Sequence, residues 1–130
     1  MYTLEGCSEI YNFANKLFLQ HQIKNVKNIQ GVFDQTFPKL TSEINNIDLL
    51  YIDGNHSYKA TVNYFKEGLL KKNTNSIFIF DDINWSEDMQ KAWKEIYLHQ
   101  EVTLSFDFFH FGIVFFRTEQ KEKEHFVLKF

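Results

Sequence analysis

Leu49 Leu50 Tyr51 Ile52 Asp53 Gly54 Asn55 His56, answered at residues 77–82 by Ile77 Phe78 Ile79 Phe80 Asp81 Asp82, decides the fold of this chain. Each stretch is a compact apolar run that stops at carboxylates. Neither run alternates apolar with polar residues, which is the pattern of strands buried on both faces in a parallel sheet. Between them Tyr58, Val62, Phe65 and Leu69 recur at helical spacing. Asn55 or Ser57 is suited to cap that helix, and Lys71 and Lys72 suit its negative C-terminal end. A strand, a helix and a second strand in this order predict two adjacent parallel strands, with helices on both faces of the sheet. In open sheets of that kind ligands bind outside the carboxyl ends of the strands. Asp53, Asp81 and Asp82 are therefore expected to converge on one crevice.

The same alternation extends in both directions. Towards the N-terminus, residues 1–4 form a short apolar start that ends at Glu5 and Gly6. Ser8 is placed to cap a helix in which Ile10, Phe13, Ala14, Leu17 and Phe18 make an apolar stripe to about residue 20. A weaker strand signal surrounds Ile29 and Val32, and Phe37, Leu40 and Ile44 predict a short helix after it. Towards the C-terminus, Ser86 is placed to cap a helix with Glu87 and Asp88 in its first turn and Met89, Ala92, Trp93, Ile96 and Tyr97 as its buried stripe. Val102, Leu104, Phe106 and Phe108 then alternate with polar residues, and residues 111–116 are apolar, so these two segments are expected to pair antiparallel, with His110 and Gly112 near the joint. Residues 119–124 are a solvated charge run, and 124–130 return to strand-like alternation. The expected class is α/β, a Rossmann-like doubly wound, mostly parallel sheet with a C-terminal antiparallel strand pair.

Composition bounds what such a domain does. A chain of 130 residues fits one domain, 1–130, that buries roughly two-thirds of the surface its unfolded form exposes. Fifteen Phe and six Tyr make aromatic burial a large part of the core. Fourteen Lys and Arg against seventeen Asp and Glu leave no general attraction for nucleic acid or for an anionic membrane. The single cysteine, Cys7, has no intrachain partner, and no apolar run is long enough to span a membrane or form a signal peptide. These features point to the cytoplasm. Cys7 itself reads as a small buried residue.

Three blocks taken together carry a family resemblance: Ile52 Asp53 Gly54 Asn55 His56 Ser57 Tyr58, then Phe80 Asp81 Asp82 Ile83 Asn84 Trp85 Ser86, then Phe115 Phe116 Arg117. With an acidic residue after the first strand and a terminal strand pair, nearly the whole chain resembles the class I methyltransferases that use S-adenosylmethionine. It is similar in layout to the bacterial small-molecule O-methyltransferases. The resemblance implies methyl transfer to an oxygen of a small-molecule acceptor. It also implies cofactor contacts from Glu5, Gly6, Asp34 and Asp53, with Glu5 accepting from the ribose hydroxyls and Asp34 from the adenine amine. A carboxylate suits a diol because it accepts two hydrogen bonds. In the metal-dependent members, residues matching Asp53, Asp81 and Asp82 bind a divalent cation, and oxygen ligands suit Mg²⁺ or Ca²⁺. The second residue of that pair is commonly Asn in the family and is Asp82 here. His56 lies where those enzymes often carry a lysine base, and an imidazole with an ordinary pKa near ~6.5 can take the acceptor's proton. Asp53 with His56 is the catalytic pair so implied. Trp85 is the candidate wall of a substrate pocket, and Tyr58 and Trp93 are core or rim aromatics.

Other roles remain open for the same residues. Asp53 and Asp82 also suit strand ends and helix caps, and His56 also suits a cap neighbour. The family begins with a strand and a glycine-rich turn against the methionine part of the cofactor. The five glycines here, Gly6, Gly31, Gly54, Gly68 and Gly112, contain no pair spaced like that turn. The resemblance is thus N-terminally incomplete: the chain begins at the family's second strand, either as a fragment or with the sheet closed by pairing the second and fourth strands directly. An alternative to an enzyme is a non-catalytic α/β interaction module, self-associating through apolar sheet surface. A phospho-receiver domain has the acidic pair and the single Asp in the reverse order.

Overall fold

A computed structural model describes residues 1–128, which divide into two units, Met1–Glu43 and the described residues from Ile44 onward. The first unit runs β1 (Tyr2–Glu5), α1 (Ser8–Gln20), β2 (Lys27–Gln30) and α2 (Phe33–Glu43). β1 and β2 pair in parallel, from Tyr2 opposite Lys27 to Glu5 opposite Gln30. Beyond that register, the Gly31 N–H donates to the Glu5 carbonyl at 3.0 Å. α1 starts at Ser8, but the N-cap is Cys7, and the Ser8 hydroxyl donates to the Glu9 carboxylate instead. No residue of α1 is buried, and Ile10, Phe13 and Leu17 of the expected stripe are exposed. The unit's own sheet explains this: two strands of four residues offer too little surface to cover a helix face of three turns. α2 instead buries Phe37, Leu40 and Thr41. Val32 falls outside β2 and is exposed, as is Cys7, contrary to the buried role its residue type suggests.

The second unit runs β3 (Ile47–Ile52), α3 (Tyr58–Leu69), β4 (Lys72–Asp81), α4 (Glu87–Leu98), β5 (Leu104–Asp107), β6 (Phe111–Phe115) and β7 (Glu124–Val127). Its sheet has the order β3-β4-β6-β5-β7. β3 and β4 are adjacent and parallel, Leu49 opposite Ile77 through Ile52 opposite Phe80, as the two apolar runs predict. β5 and β6 form the expected antiparallel pair, and β6 lies antiparallel against β4. β7 is parallel to β5; residues 129–130 of the strand expected there lie outside the described residues. Lys72, expected at the helix end, belongs to β4 and pairs with Glu101 at 3.1 Å.

One expectation about the runs is corrected. β3 and β4 are not buried on both faces: Phe78 and Phe80 are fully buried, Ile77 and Ile79 half-buried, and Leu49 and Tyr51 exposed. Within this unit both helices pack on the Phe78–Phe80 face. Phe65 of α3 meets the rings of Phe78 and Phe80 edge-on, Trp93 of α4 lies against Phe80, and the Thr61 hydroxyl reaches the Met89 sulfur between the two helices. A continuous apolar run therefore became a strand with alternating burial, because only one of its faces meets helices of its own unit.

Candidate active site

The register that aligns Ile52 with Phe80 brings the carboxyl ends of β3 and β4 to one edge of the second unit. Asp53 follows the last residue of β3, Asp81 ends β4, and Asp82 comes next. Both loops turn sharply there. Asn55 (φ +51°) and Asp82 (φ +55°) take the left-handed conformation, which Asn and Asp tolerate better than other side chains. The Ser86 hydroxyl then starts α4 by accepting the Met89 N–H at 3.2 Å, with Glu87 and Asp88 in the first turn. The N-terminal ends of α3 and α4 thus follow the two acidic loops directly, and such ends favour negative groups beside them.

Asp53, His56 and Asp82 come together. One donor atom from each lies within 4.8 Å of the others, and among the described residues this is the one group of three such side chains so close. His56 Nε2 stands 3.8 Å from Asp53 Oδ1 and 3.7 Å from Asp82 Oδ2. Asp81 turns elsewhere: its Oδ2 accepts the Tyr51 hydroxyl at 2.5 Å and its Oδ1 accepts the Asp82 N–H at 3.0 Å. The pleat is the reason. Tyr51 is opposite Ile79, and Asp81 lies two residues on, on the face Tyr51 shares. The Tyr51 hydroxyl is pushed up to about 12, first by its hydrogen bond to Asp81, then by burial and by the charges of Asp81, Asp53 and Asp82. The crevice expected to hold three carboxylates holds two carboxylates and an imidazole. Asp82 lies past the strand in the left-handed conformation, so its direction is set by the turn and not by the strand's alternation.

The other expected residues belong to the first unit. Glu5 ends β1, and its Oε1 accepts the Cys7 N–H at 2.8 Å, which fixes the carboxylate's orientation. Gly6 is exposed in the turn that follows, and Asp34 lies in the first turn of α2 rather than at a strand end. Two more features belong to the second unit's site: Trp85, expected as a pocket wall, and a tie to the β5–β6 turn that had no clear sequence signal. Trp85 is 73% exposed with its ring 6.4 Å from that of His56. The turn between β5 and β6 is tied to the loop after Asp82, since Asn84 Nδ2 donates to the Phe109 carbonyl at 2.8 Å and the Ile83 N–H to the His110 carbonyl at 3.3 Å. Tyr58 is a rim residue whose hydroxyl donates to Glu95, and Trp93 is a core residue.

Chemically, an imidazole nitrogen 3.7 and 3.8 Å from two carboxylate oxygens at a strand-end crevice is placed to act as a general base. The same three donors also suit a divalent cation. Adjacent ligands of a small divalent ion at about 2.1 Å are about 3.0 Å apart, so the 3.7 and 3.8 Å from His56 to the two carboxylates would close by less than 1 Å to hold one. An imidazole in the set moves the preference from Mg²⁺ or Ca²⁺ towards Mn²⁺ or a later transition metal.

A family model described as a methyltransferase domain matches residues 3–83. Solved structures share the fold. An O-methyltransferase from Bacillus cereus in complex with SAH is 15% identical, with a TM-score of 0.71, over 88% of this chain and 61% of that one. An SAH-bound methyltransferase from Podospora anserina is 17% identical, with a TM-score of 0.70, over 89% of this chain and 60% of that one. The chain thus spans about 60% of the length of these structures. No curated protein matches it.

Proposed function

Because this chain belongs to the methyltransferase domain family, we propose that it works in methyl transfer from S-adenosylmethionine to an oxygen of a small-molecule acceptor, with His56 as the base. The observation that carries this reading is His56 Nε2 held between Asp53 and Asp82 at the carboxyl edge of a methyltransferase-type sheet. When bound, S-adenosylmethionine supplies a methyl group on a positively charged sulfur. The acceptor hydroxyl must approach that methyl in line and lose its proton as it does so. His56 Nε2 takes the proton, with the Asp53 and Asp82 carboxylates on either side of it. Glu5, oriented by the Cys7 N–H, accepts from the ribose hydroxyls, beside Gly6, where no side chain intrudes; Asp34 accepts from the adenine amine, and Asp53 contributes a further cofactor contact. The matched segment, 3–83, runs through both units, which supports taking 1–130 as one methyltransferase-like domain. No helix among the described residues is long and apolar enough to cross a membrane. We place the protein in the cytoplasm, where its lone exposed Cys7 stays reduced.

The cation is the second use of the same side chains, favoured by the close approach of Asp53, His56 and Asp82. Asp53 and Asp82 would hold it, with His56 as the third donor or, left unligated, as the base; Asp81 would serve by holding Tyr51. A cation there would lower the pKa of an acceptor hydroxyl. Two titrations test these roles. S-adenosylhomocysteine should bind the chain weakly, for want of a glycine-rich turn within these residues, and Glu5→Gln should weaken it by about tenfold, the worth of one charged hydrogen bond. Unchanged affinity in Glu5→Gln would refute the ribose contact. Millimolar Mg²⁺ or Mn²⁺ should raise the melting temperature by mass action, and Asp53→Asn or Asp82→Asn should abolish the rise. A rise that survives both substitutions would place the cation elsewhere.

A further inference from the structure

The side chain that keeps Asp81 out of the crevice is Tyr51, and packing gives no reason for its hydroxyl. Tyr51 is 55% exposed, on the face of β3 and β4 that no helix of its own unit covers. A plain apolar ring would serve that face as well, and water would satisfy the phenol if Asp81 did not. Yet the hydroxyl donates to Asp81 Oδ2 at 2.5 Å, while the Asp82 N–H donates to Asp81 Oδ1 at 3.0 Å. Both oxygens of this carboxylate are engaged.

The crevice is close at hand. Asp81 is the chain neighbour of Asp82, and the charges of Asp53 and Asp82 act on the same Tyr51 hydroxyl. A phenol that donates to a carboxylate competes with a cation for the same lone pairs. Released from it, Asp81 can turn about its side-chain bonds towards Asp53 and Asp82, and would bring charge and oxygen to them. The set as it stands, two carboxylates and an imidazole, is a mixture that suits Mn²⁺ and later transition metals. A third carboxylate would move it towards the oxygen shell that Mg²⁺ prefers.

We infer that Tyr51 is a specificity-determining residue for the cation: by holding Asp81 through its hydroxyl, it leaves the crevice to Asp53, His56 and Asp82 and turns the preference from Mg²⁺ to Mn²⁺. Tyr51 touches neither the cation nor a substrate, and acts by positioning Asp81. This inference rests on the cation reading above.

The test is titration of the full chain with Mn²⁺ and with Mg²⁺, without cofactor or acceptor. Mn²⁺ binding is read from the loss of the free ion's electron paramagnetic resonance signal, and Mg²⁺ binding from its displacement of Mn²⁺. The wild type should bind Mn²⁺ more tightly than Mg²⁺. Tyr51→Phe, which removes the hydroxyl alone, should bind Mg²⁺ about tenfold more tightly, the worth of one hydrogen bond to a charged group, with a smaller gain for Mn²⁺. A gain of affinity cannot come from a damaged fold. Asp81→Asn should change neither affinity by more than about twofold in the wild-type background and should cancel the gain in Tyr51→Phe. Mg²⁺ affinity unchanged within about twofold in Tyr51→Phe, an equal gain for both ions, or a loss in Asp81→Asn as large as that in Asp53→Asn would overturn the inference. Cation binding that is lost in Asp53→Asn but indifferent to Tyr51→Phe would strike out Tyr51 and leave the cation reading standing. No binding of either ion by the wild type or by Tyr51→Phe would overturn both.

Discussion

Gly112→Ala is the substitution whose cost the structure specifies most closely. Gly112 lies in β6, between Phe80 of β4 and Asp107 of β5, with the Trp93 indole directly above it. A Cβ built there would fall 2.5, 2.6 and 2.7 Å from Cη2, Cζ2 and Cζ3 of Trp93. The indole has no room to retreat. It is buried, its N–H is bound to Asp107 at 2.9 Å, and the rings of Phe80, Tyr97 and His125 surround it at 6.2, 5.7 and 6.2 Å. The backbone is no freer, because β6 is paired on both sides. Overpacking of this kind costs about 1–3 kcal/mol, and losing the indole–carboxylate bond brings the total to the upper end, about 3 kcal/mol. For a unit of this size that is a fall of about 10–20 °C in melting temperature. Thermal melts followed by near-ultraviolet circular dichroism would read it. A Trp93→Leu background should remove most of the cost, since the added methyl then has space. A melting temperature within about 2 °C of wild type, or an equal cost in the Trp93→Leu background, would refute the packing argument.

Two further outcomes follow from burial. Leu49→Thr should change stability by no more than about 0.5 kcal/mol because Leu49 is exposed, whereas Phe78→Ala, from the fully buried face of the neighbouring strand, should cost about 3–5 kcal/mol; comparable losses in urea melts would contradict the one-sided burial of the sheet. Burial also holds the His99 and His125 imidazoles below the usual histidine range. With a depressed pKa, the unfolded chain binds more protons than the folded one, so this contribution is complete above pH about 6.5 and is lost as pH falls below it. Urea midpoints measured from pH 8 to 5 should therefore decline on the acid side, and less steeply in a His99→Gln/His125→Gln variant; an identical slope in that variant would rule the two histidines out.

The sequence by itself determined the order of strands and helices, the parallel pairing of β3 with β4, the antiparallel β5–β6 pair and the acidic loops at one edge. These are local matters: apolar runs, helical spacing and the capping chemistry of Ser86 act within a few residues, although Ser57 begins α3 with no side-chain cap bond. Tertiary structure decided the rest. The apolar stripe of α1 reads the same as that of α4, yet one is exposed and the other buried, because burial depends on how much sheet a helix has to lie against. Leu49 and Leu50 are equally apolar, and only the pleat and the one-sided packing of α3 and α4 part them. The pleat likewise sends Asp81 to Tyr51 and the turn leaves Asp82 to His56, although the two aspartates are neighbours in sequence. Phe109 had no signal at all. Its left-handed turn violates the residue preferences from which turns are read; Asp107, two residues before it and tied to Trp93, and Asn84, 25 residues away, hold it.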